Sequence, residues 1–386
     1  MKKVLIFIIS FFMFISSSYA IQISASSAVM YNLKDNNIIY EKNASDKMQV
    51  ASLTKIVTAI TIIENNPDLD KKILVKESML EGLKLYSKYG FKKGDIVSIR
   101  DLLYALLLSS SADAANILAI GTSGSIKNFS TLMNQELIKI GVRNSHFDNP
   151  IGKDSDNNYS TAKDMAQILR YALKNNTFRT IFETKHYKSN ELKKEIMSTL
   201  YSYDYDTAFI KGAKTGYTEK AGRCLASYAV LDGIPYLIIV LNAPVEEGYN
   251  VKDSIDLYNY YSKNYKYVNV IRGNQEVAKI RVRDGKDKEY IIRTNEDINM
   301  YLPSSYSNEL VYRYEGTTII DRTMPYHSKI GEIKVFHGDD VIYSEDVYLD
   351  KQIKYSNRKA EMSALIFIAL TFGFFDILLI IRKHYE

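Results

Sequence analysis

The spacing of polar and apolar positions changes several times along this 386-residue chain. Residues 28–40 (AVMYNLKDNNIIY) alternate on either side of Asp35-Asn36-Asn37, which predicts a β-hairpin. After Val50 the period becomes helical. Ile56, Val57, Ile60 and Ile63 follow Ser52 at the spacing of one helix face, and Asn65-Asn66-Pro67 ends the run. Residues 101–108 and 112–120 predict two very apolar helices with a run of serines at their junction, and 161–173 predicts an amphipathic helix capped by Ser160 or Thr161. Strands are then predicted over 223–230 and 236–242, joined across Asp232-Gly233, followed by a helix over 251–261. Strands at both ends with helices between them predict an α/β domain over 21–266. From 267 to 353 short alternating runs are parted by Asp-Gly and Gly-Asp-Asp, which predicts a small all-β domain without a catalytic cluster. Such a domain suits a spacer, a partner-binding surface or a purely structural role.

Two apolar stretches fall outside this pattern. Lys2-Lys3, an apolar run over 4–15 and the small residues Ser16-Ser17-Ser18-Tyr19-Ala20 have the layout of a secretory signal peptide over 1–20. The alternative, a retained N-terminal membrane helix, has to contend with a short apolar run. Residues 364–381 are interrupted only by Thr371, Gly373 and Asp376 and stop at Arg382-Lys383. At about 1.5 Å per residue this stretch nearly crosses a hydrocarbon core, which favours a membrane anchor over a buried soluble helix. The expected location is therefore extracytoplasmic, held at the cell membrane. Asp376 would be costly alone in lipid. Two readings follow: a partner helix, and with it a homo-oligomer, or a protonated carboxyl.

Composition narrows the rest. The single cysteine, Cys224, excludes an intramolecular disulfide framework, so the fold rests on an ordinary apolar core. A net charge of +5 without a basic block argues against a nucleic-acid partner. The 31 tyrosines suit stacking on sugars, yet reflect composition as readily.

Three short motifs carry the candidate chemistry: Ser52-Leu53-Thr54-Lys55, Ser110-Ser111-Ala112 and Lys214-Thr215-Gly216. On a helix, residues three apart share a face, so Lys55 can approach the Ser52 hydroxyl. A serine needs a base to take its proton, and a buried lysine near other cations can have its pKa lowered enough to serve. Ser52 at a helix start also places unpaired backbone N–H groups near any developing negative charge. In Lys214-Thr215-Gly216, just before the strand at Arg223, glycine admits close approach, threonine offers a hydroxyl and lysine a charge, a set that suits a terminal carboxylate. Taken singly, the first motif also fits a capping serine with a surface lysine, and the last a basic hairpin. Other hydrolase designs fit less well. No two of His146, His186, His327, His337 and His384 have zinc-ligand spacing, so neither metal nor cofactor is expected, and no G-x-S-x-G supports a triad with His146.

The order and surroundings of these motifs resemble the serine-type D-alanyl-D-alanine carboxypeptidases, the low-molecular-mass penicillin-binding proteins among the penicillin-recognising serine hydrolases. The resemblance extends through Ala51 beside Ser52, Asp101-Leu102-Leu103, Asp113-Ala114-Ala115, Asn149-Pro150-Ile151-Gly152, Tyr159-Ser160-Thr161-Ala162 and residues 212–222. It implies a β-lactamase/transpeptidase-like catalytic domain, an antiparallel sheet with a helical region, before the β-domain and a C-terminal transmembrane helix. It also implies attack by Ser52 on the bond between two terminal D-alanines of a peptidoglycan stem peptide, and acylation of Ser52 by β-lactams. Lys55 would be the base, Ser110 a proton shuttle, Lys214 and Thr215 the carboxylate pair flanked by Gly216, and the N–H groups of Ser52 and Tyr217 the oxyanion hole.

The chain departs from the family pattern at three places. Ala112 stands where asparagine is usual, a loss worth ~1–3 kcal/mol unless water substitutes; the triple serine 109–111 leaves an offset register open. Tyr249 and Asn250 lie where relatives often place an arginine, and Asn158, where histidine is frequent, reads as a surface change. Two competing functions follow. A class A-like β-lactamase is disfavoured because no glutamate lies between Glu136 and Glu183 to activate the deacylating water. A catalytically weak wall-binding or sensor module would keep the fold and lose the chemistry.

Overall fold

The computed structural model describes residues 21–385 apart from 190, 247 and 355–357, and the signal peptide expected over 1–20 lies outside the described residues. The chain divides into two compact units, with the boundary after Lys263.

The first unit opens with the expected hairpin, β1 (Ser27–Asn32) and β2 (Asn37–Lys42). A 3-10 turn, Ala51–Leu53, leads into α1 (Thr54–Asn65), which is buried from Thr54 to Ile62. A helix apolar all round has to be enclosed, and α1 is packed among the helices that follow. A short ribbon, β3 (Lys72–Leu74) with β4 (Ile96–Ser98), precedes α2 (Ile99–Leu107) and α3 (Ala112–Ser123). Next come α4 (Ile126–Ile140), α5 (Ala162–Ala172, capped by the Thr161 side chain) and α6 (Asn176–Glu183). A second ribbon, β5 (His186–Tyr187) with β6 (Ile196–Met197), returns the chain to the sheet.

That sheet is completed by β7 (Ile210–Thr218), β8 (Gly222–Leu231) and β9 (Ile234–Ala243). Its order is β2-β1-β9-β8-β7, antiparallel throughout, so β7 lies at an edge. The β8–β9 turn places Asp232 and Gly233 both at positive φ, 49° and 75°, the conformation that made Asp-Gly a hairpin signal. Alternate residues divide the sheet between two layers. Val29, Tyr31, Ala226, Leu237, Ile239 and Leu241 join the helical core. Ser227, from the other face, meets the hydroxyl of Tyr258 on α7 (Tyr249–Asn264) at 3.0 Å. Burial on both faces explains the unbroken apolar run of β9.

The second unit is all-β before its last helix. Strands β10 (Tyr265–Ile271), β11 (Glu276–Val282), β12 (Glu289–Arg293), β13 (Ile298–Pro303), β14 (Leu310–Gly316), β15 (Ile319–Ile320), β16 (Lys329–His337) and β17 (Asp340–Tyr348) form small sheets β10-β13, β12-β11-β15 and β14-β16-β17. Ile280, Val282, Ile292, Ile333 and Val335 fill their core. The last helix, α8 (Arg358–Tyr385), carries an exposed apolar stretch over 362–380, long enough to cross a membrane.

Candidate active site

Ser52 sits in the 3-10 turn rather than in the helix proper, one turn ahead of Lys55 on α1. The Lys55 amine lies 2.9 Å from the Ser52 hydroxyl and donates to the Ile151 carbonyl at 2.6 Å. Lys55 is only 1% exposed. Burial pushes its pKa down to about 7, against the opposing pull of the Asp113 carboxylate. A neutral amine that donates to Ile151 keeps its lone pair for the serine proton, so the pair has the geometry and the titration range of a nucleophile with its base.

Two glycines make room for this turn. Gly152 adopts φ +79°, and a Cβ on it would stand 2.0 Å from the Ala51 carbonyl oxygen. Ala51 itself has φ +46°, a left-handed conformation costly for a residue with a side chain. On the other side, a Cβ on Gly216 would meet the Ser52 nitrogen at 3.0 Å and the Leu53 side chain at 3.1 Å. Glycine in the last motif thus lets strand β7 approach the backbone of Ser52 closely.

Lys214, Thr215, Gly216 and Tyr217 all lie within β7, directly before the strand that holds Arg223, so the motif is itself part of the sheet. The reason is pairing: Lys214, Thr215 and Gly216 face Ala226, Leu225 and Cys224 on β8. Lys214 is fully buried, not the charge of an exposed hairpin, and donates to the Thr215 carbonyl at 2.7 Å. Burial first, and the nearby Lys55 charge second, hold its pKa well below the ordinary lysine value. Tyr217 is about half exposed, with the Arg223 guanidinium 5.1 Å from its ring centre. As an edge strand, β7 can offer backbone groups to an extended peptide.

The serine run between α2 and α3 separates into three roles. Ser109 donates to the Ala105 carbonyl at 3.0 Å. Ser111 is the N-cap of α3; its hydroxyl accepts from the Tyr89 N–H at 3.0 Å and bonds the Asp113 carboxylate. Ser110 lies in a left-handed turn, φ +58°, and among the described residues no side chain bonds its hydroxyl. Ala112 is the first residue of α3 and fully buried. Asp113 fixes the strap over this corner by accepting from the N–H groups of Tyr89, Gly90 and Phe91 at 3.1, 2.8 and 3.1 Å.

Asn158 is not a surface residue. It is 1% exposed, and its amide donates to the Thr54 hydroxyl at 3.3 Å, because the segment around it crosses the start of α1. Tyr249 is partly exposed, while Asn250 is buried and bonds the Cys224 carbonyl at 2.9 Å, so neither supplies a cation. His146 bonds the backbone carbonyl of Asn157 at 2.6 Å. Among the described residues no group of His, Cys, Asp and Glu side chains could hold a metal. Sequence reasoning missed the Ile151 carbonyl, Asp113 as a strap anchor, and Thr199, whose hydroxyl lies 2.7 Å from that of Thr215. The Asn-Pro-Ile-Gly segment was the one available signal for the first of these.

Comparison with known proteins gives a consistent picture. The family profile of D-alanyl-D-alanine carboxypeptidases matches residues 14–245, and that of the penicillin-binding protein 5 C-terminal domain matches 265–355. The D-alanyl-D-alanine carboxypeptidase DacF of Bacillus subtilis is 28% identical over 286 residues, 72% of each chain. The D-alanyl-D-alanine carboxypeptidase of Streptomyces strain K15 is 31% identical over 264 residues, 62% of this chain and 87% of its own. The crystal structure of the carboxypeptidase DacD from Francisella tularensis shares the fold, with a TM-score of 0.70 at 24% identity over 87% of this chain and 95% of that one.

Proposed function

Since the chain belongs to the D-alanyl-D-alanine carboxypeptidase family, we propose that Ser52 and Lys55 remove the terminal D-alanine from a peptidoglycan stem pentapeptide. The observation that carries the assignment is the buried Lys55 amine 2.9 Å from the Ser52 hydroxyl, where burial pushes its pKa down to about 7. Neutral Lys55 takes the Ser52 proton as the oxygen attacks the carbonyl carbon of the penultimate D-alanine. The resulting oxyanion is received by the backbone N–H groups of Ser52 and Tyr217. The C–N bond breaks, and the departing D-alanine amine takes the proton from Lys55 by way of Ser110. Water, deprotonated by Lys55, then attacks the ester; the Ser52 oxygen recovers its proton and the shortened peptide leaves. Thr215 and Lys214 hold the terminal carboxylate. β-Lactams acylate the same oxygen.

The apolar stretch of α8 supports a membrane anchor that keeps the catalytic unit beside the wall on the extracytoplasmic side. Its Asp376 supports a partner helix, and so a homo-oligomer, in that anchor.

Incubation with a stem pentapeptide tests the catalytic assignment. Intact protein should release D-alanine, and Ser52→Ala should reduce release by more than about a thousandfold. A Ser52→Ala variant that retains the rate removes Ser52 from the reaction.

A further inference from the structure

We infer that Thr199, which lies outside all three motifs, is a positioning residue that aims the Thr215 hydroxyl at the substrate's terminal carboxylate. The inference rests on the assignment of Thr215 to that carboxylate. The two hydroxyl oxygens are 2.7 Å apart, and among the described residues Thr199 is the only side chain bonded to the Thr215 hydroxyl. The Lys214 amine meets the Thr215 carbonyl rather than its hydroxyl.

Proton counting sets the direction of the bond. A hydroxyl donates one hydrogen bond and accepts up to two, whereas an ionised carboxylate only accepts. Were Thr215 to donate to Thr199, it would present only lone pairs to the carboxylate. When Thr199 donates instead, the Thr215 proton is released toward the substrate. The relay then runs from Thr199 to Thr215 to the carboxylate, with every proton placed.

Thr199 is itself held at both backbone ends. Its N–H donates to the Leu108 carbonyl at 2.9 Å, two residues before Ser110, and its carbonyl accepts from the Ser202 hydroxyl at 2.8 Å. Thr199 therefore links the α2–α3 corner to β7. Thr215 is 9% exposed, so few alternative partners can reach its hydroxyl.

Steady-state kinetics on two peptides test this, one ending in a free D-alanine carboxylate and the other in its C-terminal amide. Thr199→Val, which preserves shape, should raise KM for the carboxylate peptide about fivefold with kcat little changed, and should leave the amide peptide unaffected. Thr199→Ser should restore the wild-type preference. Equal preference for the carboxylate in wild type and Thr199→Val overturns the inference while leaving the carboxypeptidase reading in place. So does a loss in Thr199→Val that is the same on both peptides, since that pattern marks a general structural fault. A wild-type protein that cleaves neither peptide overturns both readings.

Discussion

At Ser52 the groups that confine the turn come from far along the chain, whereas at Ser110 they come mostly from the following turn and the strap at 89–91, with Thr199 joining at Leu108. The Ser52 turn is confined by Gly152 and Gly216 and its lysine is tethered to Ile151. The Ser110 turn is held by the Ser111 cap, by Asp113 and by the strap at 89–91. The backbone of the second corner is fixed by residues 111 and 113, so the side chain between them is not needed to build it. The first corner has no such slack, since a single methyl group on Gly152 would collide with the Ala51 carbonyl, beside Ser52.

The sharpest way to break this contrast is Lys55→Met. Loss of the base should lower D-alanine release by roughly a thousandfold. The melting temperature should hold or rise, because burying an amine opposes folding. A marked fall in melting temperature would show that Lys55 also builds the corner. In the intact enzyme the acylation rate should climb as pH rises through about 7, where Lys55 gives up its proton and becomes a base, and level off above it. A flat rate from pH 5 to 9 would remove Lys55 from that role.

Gly152→Ala probes the long-range packing directly. With φ +79° and the Ala51 oxygen 2.0 Å from the new Cβ, it should cost about 2–4 kcal/mol in urea unfolding. Gly124→Ala, at φ +82° with open space around it, should cost only about 1 kcal/mol. Equal losses would mean that backbone conformation alone, not the contact with Ala51, makes Gly152 necessary. The mildest expected effect belongs to the local corner. Ala112→Asn should leave acylation unchanged or raise it up to about tenfold. Collapse of activity would show a site rebuilt around alanine.

Most of the catalytic unit was legible because its signals are local. The Asp-Gly turn, the change of period after Val50 and the amphipathic run ending near Leu173 correspond to β8–β9, α1 and α5. Helices α4 and α6 were not read, the first because Asn, Ser and Thr dilute its apolar stripe and the second because it spans only 8 residues. The motif residues were legible as types, but their burial was not. Lys214 was legible as a carboxylate-binding charge but not as a buried one, because nothing in Lys-Thr-Gly reveals that β8 lies alongside. Asn158 and Thr199 stayed hidden for the same reason: each acts through a partner that only the folded chain brings near.

The tight fit of Gly152 and Gly216 around the Ser52 turn also has a temporal meaning. Ser52 comes early in the chain, yet the parts that confine its turn come only at residues 151–152 and 216. Such distant contacts are the slow ones to form. The Ser52 turn therefore reaches its confined form only once the segment at 151–152 and strand β7 are in place, so any chemistry at Ser52 would report a finished catalytic unit rather than a partial one.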